Sequence, residues 1–343
     1  MDKKLILSVA GSGKTTLIIS QLNVDSKALI LTYTENNYLN LRKRVIQKFG
    51  FLPNGIKIFK YFTFLYSFCY RPFLHNKIKA KGYYWDSPPQ FTTRLKRCDL
   101  RYYLDKSKRL YHNRSVRLLE EYKLFDDINH RIKKYFDSVY VDEVQDFAGH
   151  DFNFLISMIN SETNLMFVGD FFQHTFDTSR DGNVNCNLYK DYEKYIEKFI
   201  KAGVDIDKVT LNRSYRCCKS ICEFVSANLK IGFESHREDE STIRLVEDEQ
   251  EMLGILSDGS IIKLFYQNHA NFNCYSLNWG SSKGLDHFSN VCIVLNGKTF
   301  ELFMNGKLEN LNPQTRNKLY VACSRARGNI YFVEEKVLKR LMG

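Results

Sequence analysis

The segment Ser8-Val9-Ala10-Gly11-Ser12-Gly13-Lys14-Thr15 carries the residue types that hold the phosphates of a nucleotide. Glycines set between an apolar run and a helix let successive backbone N–H groups converge on phosphate oxygens, and the helix N-terminus adds partial positive charge. Lys14 is placed to reach the β- and γ-phosphates and Thr15 to ligate Mg²⁺. Ala10, Gly11, Ser12, Gly13 and Thr16 complete the nucleotide-binding set. The eight-residue pattern normally begins with Gly, and Ser8 stands in that place. A second cluster, Val139-Tyr140-Val141-Asp142-Glu143, ends an apolar run in two carboxylates. Asp142 suits Mg²⁺, held through water, and Glu143 suits polarisation of an attacking water. Together these residues lead us to expect an ATP- and Mg²⁺-dependent NTPase.

Such residues need strands to end on. Leu5 to Val9, Ala28 to Tyr33, Ser138 to Val141 and Leu165 to Val168 read as buried strands, with helices over Thr15–Leu22 and Asn37–Lys48. This rhythm predicts an α/β fold with parallel sheets, whose ligands gather at the carboxyl ends of strands. Residues 71–136, rich in Lys, Arg and Tyr, read as a mostly helical insertion. A first domain over 1–180, a connection over 181–207 and a second domain over 208–343 follow. In the second domain Val209–Leu211, Ile261–Phe265, Val291–Leu295 and Ile330–Val333 read as strands, and Lys219–Leu229 and Thr315–Arg325 as helices. Glu238 to Glu251 reads as an acidic surface stretch.

Composition bears on partners. The formal net charge is +11 over 343 residues, which favours a polyanion such as nucleic acid, and 26 Phe and 21 Tyr offer rings for stacking. The basic stretch 94–117, interleaved with Tyr102, Tyr103 and Tyr111, suits phosphate tracking. Nine cysteines include no C-x-x-C pair, and Cys217, Cys218 and Cys222 lack a second cluster at zinc spacing. With no secretory start and no apolar stretch of membrane-spanning length, a soluble cytoplasmic protein with no membrane partner is expected.

At Asp142-Glu143-Val144-Gln145-Asp146 the sequence resembles the D-E-x-Q-D box of superfamily 1 helicases of the UvrD/Rep type. Further boxes follow in order. Leu31-Thr32-Tyr33-Thr34 resembles T-F-T-N, Tyr61-Phe62-Thr63-Phe64-Leu65 resembles T-F-H, and Gly169-Asp170-Phe171-Phe172-Gln173 matches G-D-x-x-Q. Asn212 to Arg216 resembles N-Y-R, Lys283-Gly284-Leu285-Asp286 resembles K-G-L-E, and Leu319-Tyr320-Val321-Ala322-Cys323-Ser324-Arg325-Ala326 matches L-Y-V-A-x-[ST]-R-A. The resemblance implies two RecA-like domains with ATP between them. It implies Gln173 as γ-phosphate sensor, Arg216 and Arg325 as arginine fingers, Tyr215 as a stacking partner for adenine, and Gly284 and Asp286 near the nucleotide. It further implies 3′-to-5′ movement on single-stranded DNA, with RNA left open, and Tyr33, Thr63, Phe64 and Phe176 as strand contacts.

Three departures qualify this resemblance. The residues before the phosphate loop include no glutamine of the kind that reads adenine, the insertion of the first domain is short, and only residues 267–282 occupy the place of the large second-domain insertion. The segment after Gln173 also differs, reading His174-Thr175-Phe176-Asp177. The leading expectation is a minimal translocase or helicase. The alternative is an ATPase switch or sensor subunit that regulates a partner nuclease or other effector, with little unwinding of its own.

Overall fold

A computed structural model describes residues 1–175 and 181–342. The chain divides into two compact units. The first comprises Met1–Ile6, Thr15–Val168 and Asp177–Asp207, and the second Leu7–Lys14, Gly169–Phe176 and Lys208–Gly343. This grouping is not a cut by chain order. The phosphate-loop residues and the stretch after Val168 go with the second unit, and the region read as a connection goes with the first. The helix Tyr192–Lys201 explains the latter, because it buries Tyr195, Ile196 and Phe199. The Phe199 ring lies 5.5 Å from Phe152 and 5.4 Å from Phe167, so this segment is part of the first unit's core.

The first sheet holds β1 (Lys3–Ser8), β2 (Ala28–Thr32), β3 (Ile56–Lys60), β4 (Ser138–Asp142), β5 (Asn164–Gly169) and β6 (Asp205–Leu211), in the order β3-β2-β4-β5-β1-β6. β2 pairs parallel with β3 and β4, and β4 with β5. All of Ala28–Thr32 is buried, as expected of a parallel strand covered on both faces. Two helices follow β1 and β2: α1 (Lys14–Ser20) and α2 (Glu35–Phe49). α2 starts where the Thr34 hydroxyl accepts from the Asn37 N–H at 3.2 Å, and it ends at Gly50 with φ of 81°.

The second sheet holds β7 (Ile243–Leu245), β8 (Ile262–Phe265), β9 (Ser276–Asn278), β10 (Val291–Leu295) and β11 (Ile330–Glu334), in the order β7-β11-β10-β8-β9 with parallel pairing throughout. Two helices of this unit matter for the site: α3 (Lys219–Leu229) and α4 (Pro313–Cys323). α4 is set by Pro313 in its first turn and by the Asn312 side chain, which accepts from the Thr315 N–H at 2.9 Å. The stretch 238–251 is not only an acidic surface, since it supplies β7 and the start of the helix Glu249–Ser257.

The insertion is less helical than its composition suggests. Helices Arg71–Ile78, Ser115–Glu121 and Phe125–Tyr135 flank a stretch of short turns and one parallel pair, Tyr83–Tyr84 with Leu110–Tyr111. Tyr102, Tyr103 and Tyr111 are not surface stacking platforms, because all three are buried. The Tyr102 and Tyr111 rings instead lie against buried Arg114. The Arg114 guanidinium lies 4.0 Å from the Tyr102 ring, donates to the Tyr102 carbonyl at 2.8 Å and to the Thr92 hydroxyl at 2.9 Å, and pairs with Asp181 at 3.2 Å. Arg117 also pairs with Asp181, and the Tyr102 hydroxyl donates to it at 2.9 Å.

Burial alone would raise the Asp181 carboxyl. Hydrogen bonds from Arg117 and Tyr102 and the charges of Arg114 and Arg117 outweigh burial and hold it below the usual carboxylate range. A depressed folded value means stability that is present above the unfolded carboxyl pKa of about 4 and lost as pH falls through the folded value. Asp181→Asn is expected to cost about 3–5 kcal/mol at pH 7, because it leaves two buried guanidinium groups without their carboxylate. Urea unfolding of wild type and variant should show that gap at pH 7 and its progressive closure as the pH is lowered through and below the folded value.

Candidate nucleotide site

The loop between β1 and α1 turns on two glycines with left-handed backbone, Gly11 at φ of 71° and Gly13 at 94°. The first is doubly constrained. A Cβ at Gly11 would lie 2.6 Å from the Arg216 Cβ and 2.9 Å from the Ser214 hydroxyl, so only glycine fits against that neighbour. The loop is tied into the second unit through its backbone: the Val9 N–H donates to the Leu211 carbonyl and the Tyr215 N–H donates to the Gly11 carbonyl, each at 3.0 Å.

Tyr320, on α4, is a member of this site that residue type alone did not single out. Its hydroxyl accepts from the Ala10 N–H at 2.9 Å and donates to Asp170 Oδ2 at 2.8 Å. The side chain is fully buried, and burial first, then the Asp170 charge, pushes its phenol well above the ordinary range. Asp170 also accepts from the Phe172 N–H at 3.1 Å and from Gln173 Nε2 at 3.0 Å. Ala10, Asp170, Gln173 and Tyr320 are therefore one hydrogen-bonded group. The signal for it in the sequence is the Tyr of the L-Y-V-A segment, whose type alone indicates no role.

Arg216 donates from Nη1 to the Ser324 carbonyl at 3.3 Å. Arg325 is buried and donates to the Val321 carbonyl at 3.0 Å, the Leu285 carbonyl at 2.8 Å and the Ser324 hydroxyl at 3.1 Å. The Leu285 bond joins Arg325 to the turn that carries Gly284, at φ of 83°, and exposed Asp286. Tyr215 is exposed, and its ring stacks on His236 at 4.0 Å between centroids.

In the first unit, Asp142 ends β4 and is buried, and one of its oxygens accepts from the Glu143 N–H at 3.1 Å. Glu143 has a left-handed backbone, φ of 54°, which is strained for a residue with a side chain; such strain is held where a side chain must be aimed. The Gln145 side chain donates to its carboxylate. Thr15 lies on α1, while the Thr16 hydroxyl accepts from Arg44 at 2.8 Å, which turns it to α2.

The strand-contact residues separate into three kinds. Tyr33 and Thr63 line an aromatic cleft of about 560 Å³ in the first unit. Phe64 does not: it is wholly buried, with its ring 5.1 Å from Phe68 and 6.2 Å from Phe59, so it is a core residue in this structure. Phe176 lies outside the described residues.

The loop fits a phosphate group. Ser8 and Ser12 hydroxyls are buried without a hydrogen-bond partner among the described residues, which is the state of groups awaiting a polar ligand. Among the described residues no three His, Cys, Asp or Glu side chains gather as a metal cage. Mg²⁺ takes one or two protein ligands with phosphate oxygens and water. Thr15 and Asp142 are the residues that would hold it.

A Gly-rich loop between strand and helix, on parallel sheets, is the arrangement of a P-loop nucleotide site in an α/β fold. The chain belongs to the family described as the viral superfamily 1 RNA helicase core domain, whose model matches residues 101–334. It is thus a superfamily 1 helicase core by family, although the P-loop itself lies before the matched stretch. No curated protein matches the chain. Among solved structures it is similar to the PRRSV helicase, at 15% identity and a TM-score of 0.48, covering 99% of this chain and 54% of that one. It is similar as well to arterivirus nonstructural protein 10 (helicase) in complex with DNA, at 14% identity and a TM-score of 0.48, covering 99% of this chain and 63% of the other. A crystal structure of arterivirus nonstructural protein 10 gives 14% identity and a TM-score of 0.48, with 99% and 62% covered. The chain spans between half and two thirds of the length of these proteins. No helix among the described residues is long and apolar enough to cross a membrane.

Tyr320→Phe removes one hydroxyl and unpairs the Ala10 N–H and one bond to Asp170. It is expected to cost about 1–3 kcal/mol, the penalty for stranding buried polar groups. Urea denaturation at pH 7 measures this as a lowered midpoint with an unchanged slope.

Proposed function

We propose that the chain is the motor core of a superfamily 1 helicase, hydrolysing ATP with Mg²⁺ and moving along single-stranded nucleic acid. The observation that carries this reading is the Ala10–Tyr320–Asp170–Gln173 group, which joins the phosphate loop to two helicase boxes in one buried network. In this reading the backbone N–H groups of Gly11–Lys14 and the Lys14 ammonium bind the phosphates. Thr15 and Asp142 hold Mg²⁺, which when bound offsets phosphate charge. Glu143 orients and deprotonates the attacking water. Gln173 senses the γ-phosphate through the same Asp170 that Tyr320 grips. Arg216 and Arg325 place positive charge on the transferring group, and Tyr215 offers a face to adenine. Gly284 and Asp286 belong to the turn that Arg325 holds.

The strand is supported from two sides. The UvrD/Rep-like boxes point to DNA and 3′-to-5′ movement, whereas the family is one of RNA helicase cores, so the test includes both strands. ATP hydrolysis is expected to rise with single-stranded DNA or RNA. Glu143→Gln and Lys14→Ala are each expected to lower it by about 10²–10⁴-fold. Tailed duplexes with 3′ or 5′ overhangs then read polarity and unwinding. An enzyme that no strand stimulates, or variants that hydrolyse at wild-type rate, would overturn the reading.

A further inference from the structure

The cleft beside Tyr33 is walled by Phe62, from the T-F-H-like segment, and by Tyr83, Trp85 and His112, which no helicase box contains. The parallel pair Tyr83–Tyr84 with Leu110–Tyr111 sets the residue after each strand, Trp85 and His112, side by side, with ring centroids 5.5 Å apart. Phe62 stands edge-on to both, at 5.1 Å from Trp85 and 5.7 Å from His112, and Tyr83 lies 5.4 Å from Phe62 and from Trp85. Gly82, at φ of 117°, makes the turn into this pair, a backbone that a residue with a side chain rarely adopts.

Trp85 remains 59% exposed in this ring cluster. A large indole left open beside a concave aromatic wall is the arrangement that stacks a planar ligand. Burial lowers His112, so its ring is uncharged at neutral pH and adds a flat apolar wall. The cleft, about 560 Å³, has room for a nucleotide-sized group. Beside it runs a second groove of about 510 Å³ that shares Tyr66 and is lined by Arg71, His75, Lys79 and Lys81, with no acidic side chain. Rings for a base thus adjoin cations for phosphates.

We propose that this cleft captures one nucleobase of a single-stranded nucleic acid, stacked on the open face of Trp85 beside Phe62 and His112, while the neighbouring phosphates run over Arg71, Lys79 and Lys81. The inference rests on the strand-binding reading above and adds where a base is held and by which residues.

The chain's two tryptophans make the test direct, because Trp279 is fully buried and Trp85 is open. Oligo(dA) and oligo(A) are titrated into the full chain, with tryptophan emission and the anisotropy of a labelled strand read in parallel. Binding is expected to quench emission in wild type and not in Trp85→Phe, which keeps near wild-type affinity. Trp85→Ala is expected to weaken the intact strand at least about fivefold, the lower end of what one base stack supplies. The same variant should leave binding of an abasic strand of equal length unchanged, and circular dichroism checks that it is folded. The two strands, read separately, tell DNA from RNA. A strand that binds by anisotropy without quenching, and equally well to Trp85→Ala, overturns the pocket while leaving the motor reading intact. If neither strand binds at all, the strand-binding reading falls and the pocket with it.

Discussion

The second unit is organised around one hydroxyl. Tyr320 is fully buried, and a phenol in that position is tolerable only if both its hydrogen-bonding roles are met. The Ala10 N–H meets one and Asp170 the other. Asp170 in turn is a buried carboxylate whose oxygens are surrounded by donors from Tyr320, Phe172 and Gln173. None of these groups has water to fall back on. The phosphate loop, the G-D-x-x-Q segment and α4 therefore act as one another's solvent, and the position of the loop backbone follows from the position of a helix more than three hundred residues later in the chain.

The same reasoning explains the neighbouring arginine. Arg216 is oriented by a carbonyl, that of Ser324, and a carbonyl directs a guanidinium without cancelling its charge. The absence of a Cβ at Gly11 allows the Arg216 backbone to approach the loop closely. Glycine at this position thus serves two ends at once, a left-handed turn and the admission of a cation. The first is a general demand of phosphate loops. The second follows from the residues that pack on the loop in this structure.

Legibility in the sequence followed the length scale of the chemistry. The phosphate loop and Asp142-Glu143 are contiguous, so residue type and spacing were enough to read them. The buried runs Ala28–Thr32 and Val291–Leu295 were equally plain, because strands covered on both faces are unbroken apolar stretches. The strands Ile56–Lys60 and Ser276–Asn278 alternate with polar residues or are very short, and they carry no such signal. Phe64 shows the reverse error: its type suits a stacking platform, but the helical turn Tyr61–Phe64 points it into a cluster of phenylalanines. The pairing of Trp85 with His112 was out of reach, since two-residue strands have no periodicity and their partners are far apart in the chain.

Two kinds of solvation thus divide the labour of this molecule. Around Tyr320 the Ala10 N–H, the phenol and the Asp170 carboxylate satisfy one another internally, and the loss of one partner strands another, so effects there are cooperative and non-additive. Around Trp85 the contacts are dispersive and edge-to-face, the indole is open to water, and removing one ring leaves the others packed. The first group lies wholly in the second unit and the second wholly in the first, and they share no residue. A base-stacking surface of this kind tolerates any sequence, whereas the phosphate loop must hold a single geometry to within a hydrogen-bond length.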